Sequence, residues 1–244
     1  MSRAPDGQFA VMRGVQGPAG MVGARILLDI NLSTDLAGKP ISLAPDLYYS
    51  VTDTLQLGLL HEGPMGWQAR PGVGLCLTGE NNGCPKLYDN VGFDVMYGVS
   101  FGQVHLSTHS SLFINQFDPF LMSLALGVAG KTHLGTKFAL LFDPKIAIAL
   151  TERDLQDDAL YFPLELQLQA GRSTTLKLLT GLSGGLSAFG DTYEIPIGFG
   201  VLQNLTEHFD IGLRFSFDNL LGHETAGVSR TDERSLGVLV NVRS

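Results

Sequence analysis

Between Thr206 and Asn219 the chain alternates with a period of two. Phe209, Ile211, Leu213, Phe215 and Phe217 fall on one face, and His208, Asp210, Gly212, Arg214, Ser216 and Asp218 on the other. That is the side-chain period of a β-strand. The apolar face is unbroken and aromatic-rich, whereas the opposite face carries charge and glycine, so the greasy side calls for an apolar surrounding and the polar side for an enclosed, wet interior. The same plan recurs along the chain. It predicts strands at 22–32, 41–51, 55–60, 90–100, 104–114, 120–130, 137–149, 159–169, 174–187, 192–203, 206–219 and 235–243.

Connection lengths set the topology. Short turns at 52–54, 101–103, 131–136, 170–173 and 204–206 alternate with longer segments at 115–119, 150–158, 188–191 and 219–233. Transmembrane barrels alternate short turns at one rim with long loops at the other. The phase holds only if 62–88 is a single long loop, with room for a small hairpin of its own. The expected fold is therefore all-β: a transmembrane antiparallel up-and-down β-barrel of about 12 strands, with 14 as the alternative, both termini lying at the short-turn, periplasmic rim. Strands of about 11 residues tilted by ~40° span roughly 25–30 Å, the thickness of a bilayer's hydrocarbon core. Residues 1–21 precede this barrel of residues 22–244 and contain one possible strand at 9–16; they are expected to form a periplasmic strap or a plug in the lumen. Pro45, Pro144, Pro163 and Pro196 each remove a ladder donor. By this topology they form a ring of bulges or weakened pairing toward the outer rim.

Composition narrows the picture. Hydrophobic residues make up 44% and charged ones 16%, mean hydropathy is +0.16, and there are 30 glycines. Apolar runs stop at about five residues, far short of the ~20 that a transmembrane helix needs. A net charge of -8 without a basic stripe argues against a nucleic-acid partner. Met1 is followed by Ser-Arg-Ala-Pro-Asp-Gly rather than by the pattern of a signal peptide, so the chain reads as a mature one. Cys76 and Cys84 lie eight apart with no histidine at metal-site spacing. A disulfide across a small loop is the better reading, and it places that loop in an oxidising compartment.

Short turns such as Ser-Val-Thr-Asp-Thr-Leu and Asn-Leu-Thr-Glu-His-Phe, each followed by an apolar-Gly-apolar step (Leu57-Gly58-Leu59, Ile211-Gly212-Leu213), make residues 22–244 resemble the Gram-negative outer-membrane β-barrels, porin-like in type. The resemblance implies location in the bacterial outer membrane, with the lipid bilayer and lipopolysaccharide as surroundings. One departure is the C-terminus, Val240-Asn241-Val242-Arg243-Ser244, where such barrels usually end in an aromatic residue.

His105, Ser107, His109 and Ser111 share one face and raise the question of a hydrolase. The Ser-Asn-Gly run of outer-membrane phospholipases is missing, however, and alternation turns these side chains toward the lumen, away from lipid. Gly181-Leu182-Ser183-Gly184-Gly185 lacks the strand-to-helix context of a nucleophile elbow. No catalytic residue, metal site or cofactor is expected. The inward positions expected to line a pore are Arg25, Asp29, Asp46, Asp94, His105, His109, Lys137, Asp143, Lys145, Glu165, Lys177, Glu194, Asp210, Arg214 and Arg243. Both signs in near balance suit a wet lumen crossed by ion pairs, and small inward residues such as Ala125, Gly127, Ala139 and Gly181 leave space. Tyr49, Tyr97, Tyr193 and Phe217 are candidates for interfacial aromatic girdles. The acidic loops at 152–158 and 224–233 read as solvated. Taken together, the sequence points to a monomeric, passive, weakly selective channel for small polar solutes. The alternatives are an outer-membrane lipid hydrolase and a closed structural or surface-recognition barrel.

Overall fold

In the computed structural model, residues 10–33, 39–61, 74–84, 86–224 and 229–244 are described. Fifteen strands form one sheet: β1 (Val22–Asn31), β2 (Ile41–Ser50), β3 (Leu55–Leu60), β4 (Gly74–Cys76), β5 (Tyr88–Asp89), β6 (Val91–Phe101), β7 (Val104–Phe117), β8 (Phe120–Leu134), β9 (Phe138–Phe142), β10 (Lys145–Ala149), β11 (Ala159–Gln169), β12 (Thr174–Gly185), β13 (Ile197–Asn204), β14 (Phe209–Phe217) and β15 (Arg234–Arg243). Because β9 and β10 are two halves of one wall strand and β4 and β5 belong to the loop hairpin, the closed wall has 12 strands, all antiparallel to their neighbours. Closure runs through β1, which pairs with β15 on one side and β2 on the other. The first and last wall strands meet at the short-turn rim, where the Ser244 N–H donates to the Val22 carbonyl at 2.9 Å.

Burial is inverted relative to a soluble protein. Phe93, Tyr97, Phe199 and Leu213 are more than half exposed, at 61%, 57%, 57% and 51%, while Asp46 and Asp210 are fully buried. Alternation explains both: one parity of every strand faces lipid, the other the lumen. Tyr49 and Tyr97 sit on the outward face. Phe217 packs edge-on against Phe215, and Tyr193 lies off the strands, stacked on Phe189.

The prolines act unequally. Pro144 splits the strand expected at 137–149 into β9 and β10, and the strand expected at 192–203 begins only after Pro196, following the short helix α1 (Phe189–Thr192) and an isolated bridge from Glu194 to Ser183. Pro45 and Pro163 stay inside β2 and β11, each at a place where pairing on one side is interrupted. A missing N–H is tolerated where the neighbouring strand also breaks. The expected strand at 9–16 is instead a 3-10 turn at Ala10–Met12.

Within the segment 62–88, β4 pairs with both β2 and β5, so a small hairpin extends the wall above the short β3. Cys76 and Cys84 are joined by a disulfide. His61 seals the joint: its N–H donates to Asp46 at 2.6 Å, and one ring nitrogen meets the Tyr88 hydroxyl at 2.7 Å. Trp67 lies outside the described residues.

Candidate functional site: the barrel lumen

Alternation delivers the charged inward positions to one enclosed space, where they pair along the wall. Arg25 of β1 meets Asp46 of β2 at 2.8 Å, and Lys177 of β12 meets Glu165 of β11 at 2.9 Å. Arg214 of β14 reaches past β15 to Asp29 of β1 at 3.1 Å. It can do so because residue 237 is glycine: a Cβ there would sit 2.6 Å from Arg214 Nε and 2.7 Å from its Cγ.

A denser network occupies the β6–β10 wall. One His109 ring nitrogen lies 2.7 Å from Asp94 and the other 2.8 Å from Asp143, which also meets Lys145 at 2.7 Å. Ser111 donates to Asp94. Asp143 stands in the break beside Pro144, so the interruption of the strand is what lets its carboxylate turn toward His109 and Lys145.

At the short-turn end the N-terminal segment enters the lumen. Arg13 and Arg243 both hold the buried Asp210 at 2.6 Å, and Asn204 donates to it as well. Lys131 of β8 donates to the Ala10 carbonyl at 2.8 Å, and Val11 is fully buried. Between β14 and β8 lie β13, β12, β11 and the β9/β10 strand, so residues 10–13 reach between distant parts of the twelve-strand ring. Further along, Gln16 donates to the Thr54 carbonyl and Gly17 to Gln56.

Two of the positions named from the sequence depart from the lumen pattern. Lys137 is exposed in the turn between β8 and β9, because the wall strand starts one residue later. Glu194 precedes β13 and accepts from Ser183 at 3.2 Å. His105 keeps its inward parity near the short-turn rim, level with Lys131 and with its ring edge-on to His133. Missed altogether were Arg13, Lys131 and His133, together with four lumen-facing leucines, Leu27, Leu179, Leu202 and Leu239. The inward parity of the leucines was available in the sequence, but an apolar residue on the polar face breaks the pattern that parity was used to find, while Lys131 and His133 fell in the expected turn at 131–136, which β8 overruns to Leu134.

Among the described residues no serine hydroxyl is hydrogen-bonded to His109, whose two nitrogens both face carboxylates, and His105 takes Ser100 rather than Ser107 as partner.

No protein-family model matches the chain, and no curated protein matches it by sequence. Solved structures do share the fold. An outer membrane channel of the COG4313 group from Pseudomonas putida F1 superimposes with a TM-score of 0.62 at 15% identity, covering 94% of this chain and 97% of that one. The fold is that of a bacterial outer-membrane barrel. The NanC porin (TM-score 0.61, 7% identity, 91% of this chain and 98% of that one) and the KdgM porin crystallised with disordered oligogalacturonate (0.56, 9%, 91% and 97%) share it too.

Proposed function

We propose that this barrel is a passive, weakly selective channel for small polar solutes in the outer membrane, working as a monomer surrounded by lipid and lipopolysaccharide and without catalytic chemistry. The observation that carries the reading is the direction of the charge pairs. Arg25–Asp46, Lys177–Glu165, Arg214–Asp29 and the His109 cluster all run between neighbouring or next-neighbouring strands. Side chains paired flat against the wall leave the middle of the lumen to water, and a near balance of signs favours neither cations nor anions strongly. Residues 10–13 are the exception, and they act as a plug that narrows the periplasmic mouth between Asp210 and Lys131.

Planar-bilayer recordings test this. The refolded full chain should give small, discrete conductance steps with a reversal potential near zero in a salt gradient. A variant lacking residues 1–20 should give steps several times larger. A heat-modifiable, correctly folded barrel that stays electrically silent in both forms sinks the channel reading.

A further inference from the structure

Residues 10–21 divide into a head and an anchor. The anchor is fixed to the turn between β2 and β3: the Gly20 N–H donates to the Ser50 carbonyl at 2.7 Å, the Ser50 N–H to the Met21 carbonyl at 2.9 Å, and the Ala19 N–H to Asp53 at 2.9 Å. The Gln16 side chain adds a bond to the Thr54 carbonyl at 3.2 Å, and the Gly17 N–H one to Gln56 at 3.3 Å. The head, residues 10–13, is held elsewhere. Its turn at Ala10–Met12 packs on β9 and β11, with Val11 fully buried and the fully buried Ala139 of β9 level with His133 of β8 and Gln167 of β11.

The wall around the head offers the groups that a peptide needs. Lys131 is 2% exposed, and among the described residues its ammonium donates one hydrogen bond, to the Ala10 carbonyl at 2.8 Å. Glu165, level with Lys131 across Leu141, is taken by Lys177 at 2.9 Å. A buried ammonium is costly without acceptors, so this position calls for a carbonyl from whatever lies in the lumen. Two residues along the same face of β8, His133 Nε2 is buried with no hydrogen-bond partner among the described residues, and such an atom needs a polar visitor or water. Asp210 is gripped alike by two guanidiniums, Arg13 and Arg243 each placing one Nη at 2.6 Å and the other at 3.2 Å. Arg243 and Asn204 belong to the wall, so the carboxylate stays paired when Arg13 leaves. Removing the head therefore strands no buried anion, which is the usual cost of breaking a buried pair.

We propose that this end of the lumen is a binding site for short peptides in which an apolar residue precedes an arginine by two, and that residues 10–13 are its tethered occupant. Val11 supplies the apolar side chain, the Ala10 carbonyl meets Lys131, and the Arg13 guanidinium completes the shell of Asp210. The stopper of the channel proposed above is thus a docked ligand rather than part of the wall. The effect on conduction rests on that channel reading, while the docking is measurable without conduction. A tether of a few residues keeps the head at an effective concentration on the order of millimolar, so a free peptide enters only where the head has been dislodged.

Val11→Lys in the full chain dislodges it, by putting an ammonium in the buried position next to the carbonyl that Lys131 holds, and leaves every wall residue in place. Fluorescence anisotropy of a labelled heptapeptide, Ala-Val-Met-Arg-Gly-Val-Gln, should show saturable binding to the refolded variant, about tenfold or more tighter than to the unaltered chain. Replacing the peptide's arginine by glutamine should weaken that binding about tenfold or more. Asp210→Asn added to the variant should do the same, with Lys131→Met as the substitute if that barrel loses heat-modifiable migration. In planar bilayers the Val11→Lys chain should give larger steps than the unaltered one, and peptide on the periplasmic side should reduce them. Equal binding to both chains, or equal binding of the arginine and glutamine peptides, overturns the site, and so does peptide that binds a conducting variant without reducing its steps. Peptide binding to a barrel that never conducts overturns the channel reading alone and leaves the site standing.

Discussion

The two sides of the lumen solve the same problem in opposite ways. On the β6–β10 side His109, Asp94, Asp143, Lys145 and Ser111 satisfy one another within 3 Å, so the network is complete without a visitor. On the β12–β15 and β1 side, a row of buried leucines separates ion pairs that run between strands, Arg25–Asp46 toward the short-turn end and Arg214–Asp29 toward the long-loop end. A closed polar network gives rigidity, since removing one member strands the others in a low dielectric. Pairs set apart by apolar side chains share no member, so losing one leaves the others intact.

The sharpest way to break this contrast is to remove His109. His109→Ala leaves Asp94 and Asp143 without their shared partner and should destabilise the barrel by about 3–5 kcal/mol, read as a lowered urea midpoint in lipid vesicles. On the other wall Lys177→Gln should cost only about 1 kcal/mol, because Gln keeps a donor for Glu165. Equal losses at the two sites would erase the distinction. A smaller effect belongs to the outer mouth, where Asp218 follows β14. Burial raises its pKa to about 7, the carboxylates of Asp29 and Glu233 adding to the shift, while a hydrogen bond from Ser216 and the charge of Arg214 oppose it. The folded protein thus binds a proton there that the unfolded chain has released. Stability from this group is full below the ordinary carboxylate range near pH 4 and is lost as pH rises toward 7. Asp218→Asn should flatten that decline and raise stability above pH 7 by about 1 kcal/mol, a change visible in unfolding midpoints measured at pH 5 and pH 8.

Much of the barrel was legible from alternation alone. The strand at Thr206–Asn219 appeared as β14 with the expected faces, Asp210 and Arg214 inward, and the closed wall has the 12 strands that turn lengths predicted. Legibility failed where a residue's role depends on a neighbour distant in sequence. Gly237 looks like any strand glycine until Arg214 is seen lying across it. Arg13 sits in a segment that reads as a weak strand, and its partner Asp210 is 197 residues away. Pro144 could be read as a weakness in a strand, but not as the break that presents Asp143 to His109.

By itself, then, the sequence determined which residues could face lipid and which the lumen, because a period of two is a local property that every strand repeats. It also favoured the disulfide between Cys76 and Cys84, since two cysteines in one short loop leave a single pairing, and the structure forms that bond. Only the tertiary structure decided how inward residues combine. Strand stagger sets which rows line up, and it brings Leu202, Leu239 and Leu27 level with one another between Arg25 below and Arg214 above. Stagger comes from pairing between strands far apart in the chain, so no local pattern records it.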